Sequence, residues 1–389
     1  MTALPGPLYK TRLTPRTGRS AAERFMEGLL DKADIRLGGD RPWDMRVNVR
    51  GVAERLFSQG TLGLGEAYMD GEWDVEELDA FFCRVLRARV DRDVRPASLI
   101  PHILRSRFLN LQNMQRAWQV GSVHYDLGND FYEAMLDPRM TYTCAYWKSA
   151  STLGQAQDAK LGLVCSKLGL KPGMRVLDIG CGWGSFMGYA AQHYGVTCVG
   201  VTISKEQAEW ARCRYPDPAL EFRLQDYRDT NGQFDRIVSI GMFEHVGRKN
   251  HRTFAEVAHN CLTDDGIFLL HTIGLNERST ATNPWIDKYI FPNGDLPSLG
   301  DIGDAVQNLF VVEDVHSFGA DYDRTLMAWH TNFEAAWPRF SDRLGDRFRR
   351  MWRYYLLSCA GAFRARDLQL WQCVLSKHGV SGGYTRPTN

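Results

Sequence analysis

The stretch Val176-Leu-Asp-Ile-Gly-Cys-Gly-Trp-Gly184 constrains this chain more tightly than any other. It reads as a short apolar strand, Arg175–Ile179, that carries Asp178 and runs into three alternating glycines before a helix through Tyr189 and Ala190. Glycine is needed where backbone approaches a ligand closely or takes positive φ. In an open α/β sheet, ligands bind outside the carboxyl ends of the strands, where this loop would lie. Residues 196–201, Leu220–Leu224, Phe234–Ile240 and 266–271 supply further strands, and 206–214 a second helix. That alternation predicts an α/β fold with a mostly parallel sheet flanked by helices.

The glycine spacing is G-x-G-x-G. Dinucleotide sites use G-x-G-x-x-G and an acidic residue about 20 residues on to hold the ribose. Here Thr202 and Ser204 follow the second strand instead. The pattern favours a nucleoside without a pyrophosphate, such as S-adenosylmethionine, over a dinucleotide; a purely structural turn is the competing reading. After the third strand, Asp226 offers an acceptor and Tyr227 a stacking ring for adenine, although a helix cap would also explain Asp226.

The region before the sheet is different. Apolar residues recur at helical spacing through Phe25, Leu29 and Leu30, and again through Leu78, Phe81, Phe82, Val85 and Leu86. The expected organisation is a disordered leader over 1–19, a small helical domain over 20–95, a helical connector over 96–120 and an α/β domain over 121–389. Net charge is only +1, which argues against a nucleic-acid partner, yet between residues 80 and 120 eight arginines (84, 87, 89, 92, 95, 105, 107, 116) face only Asp91 and Asp93. Such a segment suits a helix on an anionic membrane surface or a solvated face packed on its own domain. Arg343, Arg347, Arg349 and Arg350 pose the same choice.

No run of about 18 apolar residues exists, so no spanning helix is expected, and the first twenty residues do not read as a secretory signal. Nine scattered cysteines with no C-x-x-C pair suggest neither a disulfide framework nor a metal site. These features predict a reduced, cytoplasmic protein. Aromatic residues make up 12% of the chain, enough to line a large apolar cavity.

The chain resembles the cyclopropane synthase family, S-adenosylmethionine enzymes that act on cis double bonds of acyl chains. The motifs are His124-Tyr-Asp-Leu-Gly-Asn129, Met140-Thr-Tyr-Thr-Cys-Ala-Tyr-Trp147, the glycine loop, Gly200-Val-Thr-Ile-Ser204 and Gly241-Met-Phe-Glu-His245. Leu270-His-Thr-Ile-Gly274, Tyr289-Ile-Phe-Pro-Asn-Gly294, Phe318-Gly-Ala-Asp-Tyr322 and Cys359-Ala-Gly-Ala-Phe363 continue the likeness. It reaches back to Leu62-Gly-Leu-Gly-Glu-Ala-Tyr-Met-Asp-Gly71, a segment that the mycolic acid members lack. One departure is Thr143, where serine is common in the family.

The resemblance implies methylene addition across a double bond of an unsaturated phospholipid, through a carbocation on the acyl chain. A water-excluding, aromatic-lined tunnel would protect that cation. It implies a bound bicarbonate as proton acceptor, held by Cys144, Glu244, His271, Tyr322 and the backbone at Ile273. Cys359 is the family's carboxyl-terminal cysteine, although alkene methylation needs no thiolate and a packing role suits it better. For S-adenosylmethionine the resemblance points to Tyr142, Thr143, Asp178, Gly180, Gly182, Gly184, Thr202, Gln207, Asp226 and Tyr227, with Trp183 covering the sulfonium. It further implies a homodimer bound peripherally to the inner face of the cell membrane, with the helical domain binding lipid. The competing readings are a fatty-acyl C-methyltransferase that leaves methyl branches, and a catalytically dead lipid-binding protein.

Overall fold

The computed structural model describes residues 19–90, 127–279 and 282–387. The leader (except Arg19), the connector, the 95/96 boundary, His124 and the arginines at 92, 95, 105, 107 and 116 lie outside the described residues.

Two short strands, β1 (Arg46–Val47) and β2 (Trp73–Asp74), pair antiparallel among the amino-terminal helices. The main sheet contains β3 (Arg175–Ile179), β4 (Thr197–Thr202), β5 (Leu220–Leu224), β6 (Phe234–Ile240), β7 (Leu262–Leu275), β8 (Val311–Ser317) and β9 (Leu368–Ser376). Its order is β5-β4-β3-β6-β7-β9-β8. Strands β5 through β7 are mutually parallel, and β9 runs antiparallel between β7 and β8. The chain reverses its direction of travel across the sheet at β3/β6, so a crevice opens at the carboxyl end of β3, where open α/β sheets bind ligands. The alternation of side chains divides the core: Leu177 and Ile179 pack on one face with Phe254 and Ala258, whereas Val176 packs on the other with Leu161 and Phe186.

The expected helical character of the amino-terminal region is present as helices Ala21–Lys32, Val52–Met69 and Leu78–Arg87. The first begins with a capping box, in which Ser20 and Glu23 satisfy each other's backbone N–H. The second is broken at Gly60, whose φ of 61° and ψ of −140° leave the helical region and bend the element. These helices share one apolar core with the carboxyl-terminal helix Ser341–Ala365 and with Ala320–Ala336. Close approach is made possible by small residues: a Cβ at Gly361 would lie 2.5 Å from the carbonyl oxygen of Asp79.

The arginines of the second stretch are ion-paired within the chain. Arg343 pairs with Asp130, Arg347 with Asp70, Arg349 with Glu334 and Arg350 with Asp74. Within the first, Arg84 pairs with Asp34 and lies 4.1 Å from the centre of the Trp43 ring. Much of the aromatic excess is likewise structural: Trp73, Trp285, Trp329 and Trp352 are among the largest fully buried side chains.

Candidate active site

Strand β3 delivers Asp178 to the crevice, 2% exposed, and burial pushes its carboxyl up to about 7 while Lys160 draws it down. The following loop turns through Gly180 (φ +87°), Gly182 (φ +54°) and Gly184 (φ +79°). A Cβ on Gly184 would meet the Phe222 ring at 2.6 Å, so this position is closed to larger residues. A Cβ on Gly182 would find its nearest neighbour only at 3.8 Å, the Gln207 amide, so the loop keeps an open cradle there.

Around this cradle stand the residues expected for a nucleoside. Thr202 ends β4, and its hydroxyl lies 3.4 Å from the Gln207 amide oxygen. Asp226 follows β5 and realises the capping reading of the sequence. It caps a short turn by accepting from Arg228 N–H at 2.9 Å, pairs with the Arg228 guanidinium, and still lines the cavity. Tyr227 packs its ring on Phe254 at 5.4 Å between centroids. Trp183 is buried against Tyr132, its indole N–H donating to Asn129 at 3.0 Å. The Tyr142 hydroxyl donates to Tyr355 at 3.0 Å, and Thr143 accepts from the Lys160 ammonium at 2.9 Å.

One cavity of about 840 Å³ connects this loop with a second polar group and then with the amino-terminal helices. Glu244 follows β6, His271 lies in β7, and both are buried on the cavity wall. Glu244 Oε1 accepts from the Ile273 backbone N–H at 2.6 Å. Burial raises the Glu244 carboxyl to about 7, and the Ile273 N–H partly offsets that rise. His271 Nδ1 faces the Gln372 amide nitrogen at 3.1 Å, and burial together with Lys160 and Lys167 holds the ring neutral, far below its ordinary pKa. Among the described residues, Glu244 Oε2 and His271 Nε2 are buried without a hydrogen-bond partner. Paired orphans of this kind, one acceptor and one ring nitrogen, suit a small ligand with both donor and acceptor oxygens.

Tyr322 and Cys359 also reach the cavity wall, and burial pushes the Cys359 thiol up to about 12, so it stays protonated. Cys144 does not line the cavity. It is fully buried behind Thr143, and its thiol points to the Ala145 carbonyl at 3.2 Å. Ile273 contributes an N–H that Glu244 already occupies. Beyond this group the wall becomes apolar, through Met26, Leu30, Leu56, Phe81 and Val85. No cluster of metal-ligating side chains occurs among the described residues.

Two site residues escaped the sequence reading. Lys160, in helix Leu153–Leu168, looks like a solvated lysine in sequence but is 1% exposed. Gln372 carried a weaker signal, one of two amides, with Gln369, inside the otherwise mostly apolar strand Leu368–Ser376.

Comparisons with known proteins agree with this fold. The sequence profile described as mycolic acid cyclopropane synthetase matches residues 112–373. The chain is 53% identical to the cyclopropane-fatty-acyl-phospholipid synthase of Escherichia coli K12 over 367 residues, covering 92% of this chain and 94% of that one. It is 35% identical to a probable fatty acid methyltransferase of Pseudomonas putida, covering 68% and 71%. The mycolic acid cyclopropane synthase CmaA1, solved with SAH and CTAB, superposes with a TM-score of 0.62 at 35% identity, covering 67% of this chain and 98% of that one.

Proposed function

The chain belongs to the mycolic acid cyclopropane synthetase family of S-adenosylmethionine-dependent methyltransferases, and from that premise we propose that it adds a methylene group across a cis double bond of an unsaturated acyl chain in a phospholipid. The observation that carries this reading is the single cavity that joins the glycine loop, the Glu244–His271 pair and an apolar passage between the amino-terminal helices.

The Gly180–Gly184 loop would hold the amino-acid end of S-adenosylmethionine, with Asp178, Tyr142 and Thr143 beside it. Thr202, Gln207, Asp226 and Tyr227 would hold the nucleoside, and Trp183 would cover the sulfonium. Glu244, His271 and Tyr322 would hold bicarbonate; Ile273 acts through Glu244, and Cys144 supports the wall from behind. When bound, S-adenosylmethionine supplies an electrophilic methyl and bicarbonate the base that takes a proton from it.

The protein's own groups do the rest. Apolar walls keep water from the reacting carbons, and the faces of Tyr322, Tyr355 and Phe363, all on the cavity wall, stabilise positive charge on the acyl chain. Glu244 at about pH 7 divides between protonated and ionised forms, so its free oxygen can meet a hydroxyl or an oxyanion. The acyl chain would run between Met26, Leu56 and Phe81, which gives the amino-terminal helices a lipid-binding role.

Among the described residues no helix is long and apolar enough to cross a membrane. Phe25, 54% exposed beside Phe57, supports peripheral contact of this region with the inner face of the membrane. A homodimer would present two such faces.

The test is turnover of a phospholipid panel with S-adenosylmethionine, read by lipid mass spectrometry. The reading requires acyl chains heavier by one methylene, no alkene at the modified position, and loss of turnover in bicarbonate-depleted buffer. A retained alkene or a saturated methyl branch would instead establish the fatty-acyl C-methyltransferase reading, which the Pseudomonas putida relative keeps in view.

A further inference from the structure

Strand β9 sets Gln372 opposite His271 of β7 on one side and opposite His316 of β8 on the other. Directly opposed residues of antiparallel strands share a face of the sheet. His271, Gln372 and His316 therefore form a polar row on the face that packs under helix Leu153–Leu168, where Leu269 and Val374 belong to the apolar layer. Lys167 of that helix meets the outer end of the row, 3.0 Å from His316 Nδ1. Gln372 is fully buried and His271 is 1% exposed, so neither exchanges hydrogen bonds with bulk water.

We propose that Gln372 is a positioning residue for the reaction, whose amide N–H donates to His271 Nδ1 and fixes His271 in the tautomer that carries its hydrogen on Nε2. The inference deepens the proposed function and rests on it, because the value of an Nε2–H is as a donor to an oxyanion in the cavity.

The argument is one of donors and acceptors. A neutral imidazole has one nitrogen of each kind, and the contact made by one nitrogen decides the character of the other. His271 is held neutral by burial and by the nearby lysines. With the Gln372 amide nitrogen at 3.1 Å, Nδ1 is the acceptor, and Nε2 must be the donor. The reversed amide would place a lone pair on Nε2, which would repel an anion in the cavity. An apolar residue at 372 would free both tautomers and leave buried Nδ1 unpaired. At metal sites, loss of the partner that orients a ligating histidine typically costs 10- to 100-fold in affinity or activity, and the same fixing of tautomer and ring applies to a histidine that donates to an anion.

The test uses the full chain with ¹⁵N-labelled histidine, His271 being assigned by the signal lost in H271N. The expected wild-type spectrum shows Nδ1 unprotonated and Nε2 protonated. Gln372→Met, close in volume, should mix the tautomers and raise the KM for bicarbonate on the order of tenfold while S-adenosylmethionine affinity stays unchanged. Gln372→Glu, at a pH high enough to ionise the introduced carboxyl and make it acceptor-only, should move the hydrogen to Nδ1 and lower kcat further. A wild-type His271 protonated on Nδ1 would overturn the inference whatever the variants do, as would an unchanged tautomer and unchanged bicarbonate KM in Gln372→Met. The expected tautomers in both proteins, with turnover indifferent to bicarbonate, would uphold the control of His271 by Gln372 and remove the bicarbonate reading alone.

Discussion

Glu244 and Ile273 are joined by a 2.6 Å hydrogen bond from backbone N–H to carboxylate, which ties the turn after β6 to strand β7 across the floor of the cavity. The bond uses Oε1 and leaves Oε2 buried without a partner among the described residues. A carboxyl group so placed is both anchored and available, and its behaviour can be tested directly.

Removal of the polar pair should stop chemistry without disturbing the cofactor. Glu244→Gln keeps an oxygen for the Ile273 N–H but loses the ionisable group, and His271→Ala loses the ring nitrogen. Each should lower kcat by about 10² to 10⁴, the range of a general acid or base, with S-adenosylmethionine affinity by calorimetry close to wild type. Unaffected turnover in both would discredit the site.

The raised Glu244 pKa has a consequence for stability with a definite sign. In the unfolded chain the carboxyl releases its proton near 4.5, whereas the native group holds it to about 7. Between these values the native state binds more protons, so this group's contribution to stability falls as pH rises through that window. A shift of this size corresponds to on the order of 3 kcal/mol. Buried His251 and His271 and half-buried His245 push the other way, but equally in both proteins, so Glu244→Gln isolates the effect. Urea unfolding at pH 4.5 and pH 7.5 should show the variant gaining stability relative to wild type at the higher pH; a constant difference would refute the assignment.

Lys160 should matter to the cofactor through Asp178, whose carboxyl it draws down against burial. Lys160→Met should leave Asp178 more fully protonated at pH 7 and weaken binding of the cationic cofactor. Affinity should recover as pH rises and Asp178 ionises. A loss of affinity that is the same from pH 7 to pH 9 would show that Lys160 acts only as packing.

Cys359 touches the cavity as a neutral thiol, its pKa raised to about 12 by burial. Cys359→Ser should therefore change kcat by far less than the ~10²-fold that follows loss of an acid or base. A collapse of turnover in a folded variant would restore the thiol to the chemistry.

Gly65 faces the Trp285 indole so closely that an added Cβ would stand 2.3 Å from the ring. Gly65→Ala should cost about 1–3 kcal/mol in urea unfolding, as overpacking does. Because Trp285 also lines the cavity, kcat/KM for lipid should fall more than S-adenosylmethionine affinity.

The elements that share a local signal were legible in sequence. Strands Arg175–Ile179, Leu220–Leu224 and Phe234–Ile240 appear with the expected bounds, and the glycine loop lies where the strand-to-helix alternation put it. The long strand Leu262–Leu275 was seen only in its centre, and the antiparallel pair β8 and β9 was not foreseen. Edge and antiparallel strands depend on partners distant in the chain, and neither short-range periodicity nor turn chemistry declares them.

The sequence by itself determined the α/β class, the glycine loop at the end of β3 and the residue types of the polar pocket, because each follows from local spacing or from motifs a few residues long. The tertiary structure decided what those residues are able to do. Tertiary packing buried Lys160 and Gln372, took the Ile273 N–H for Glu244 and left Cys144 off the cavity wall. It also joined the amino-terminal helices to the carboxyl-terminal helix around one passage and gave Arg343 and Arg350 carboxylate partners far away in sequence. Burial and hydrogen-bond partners set protonation and access, and both are properties of neighbours brought together by the fold.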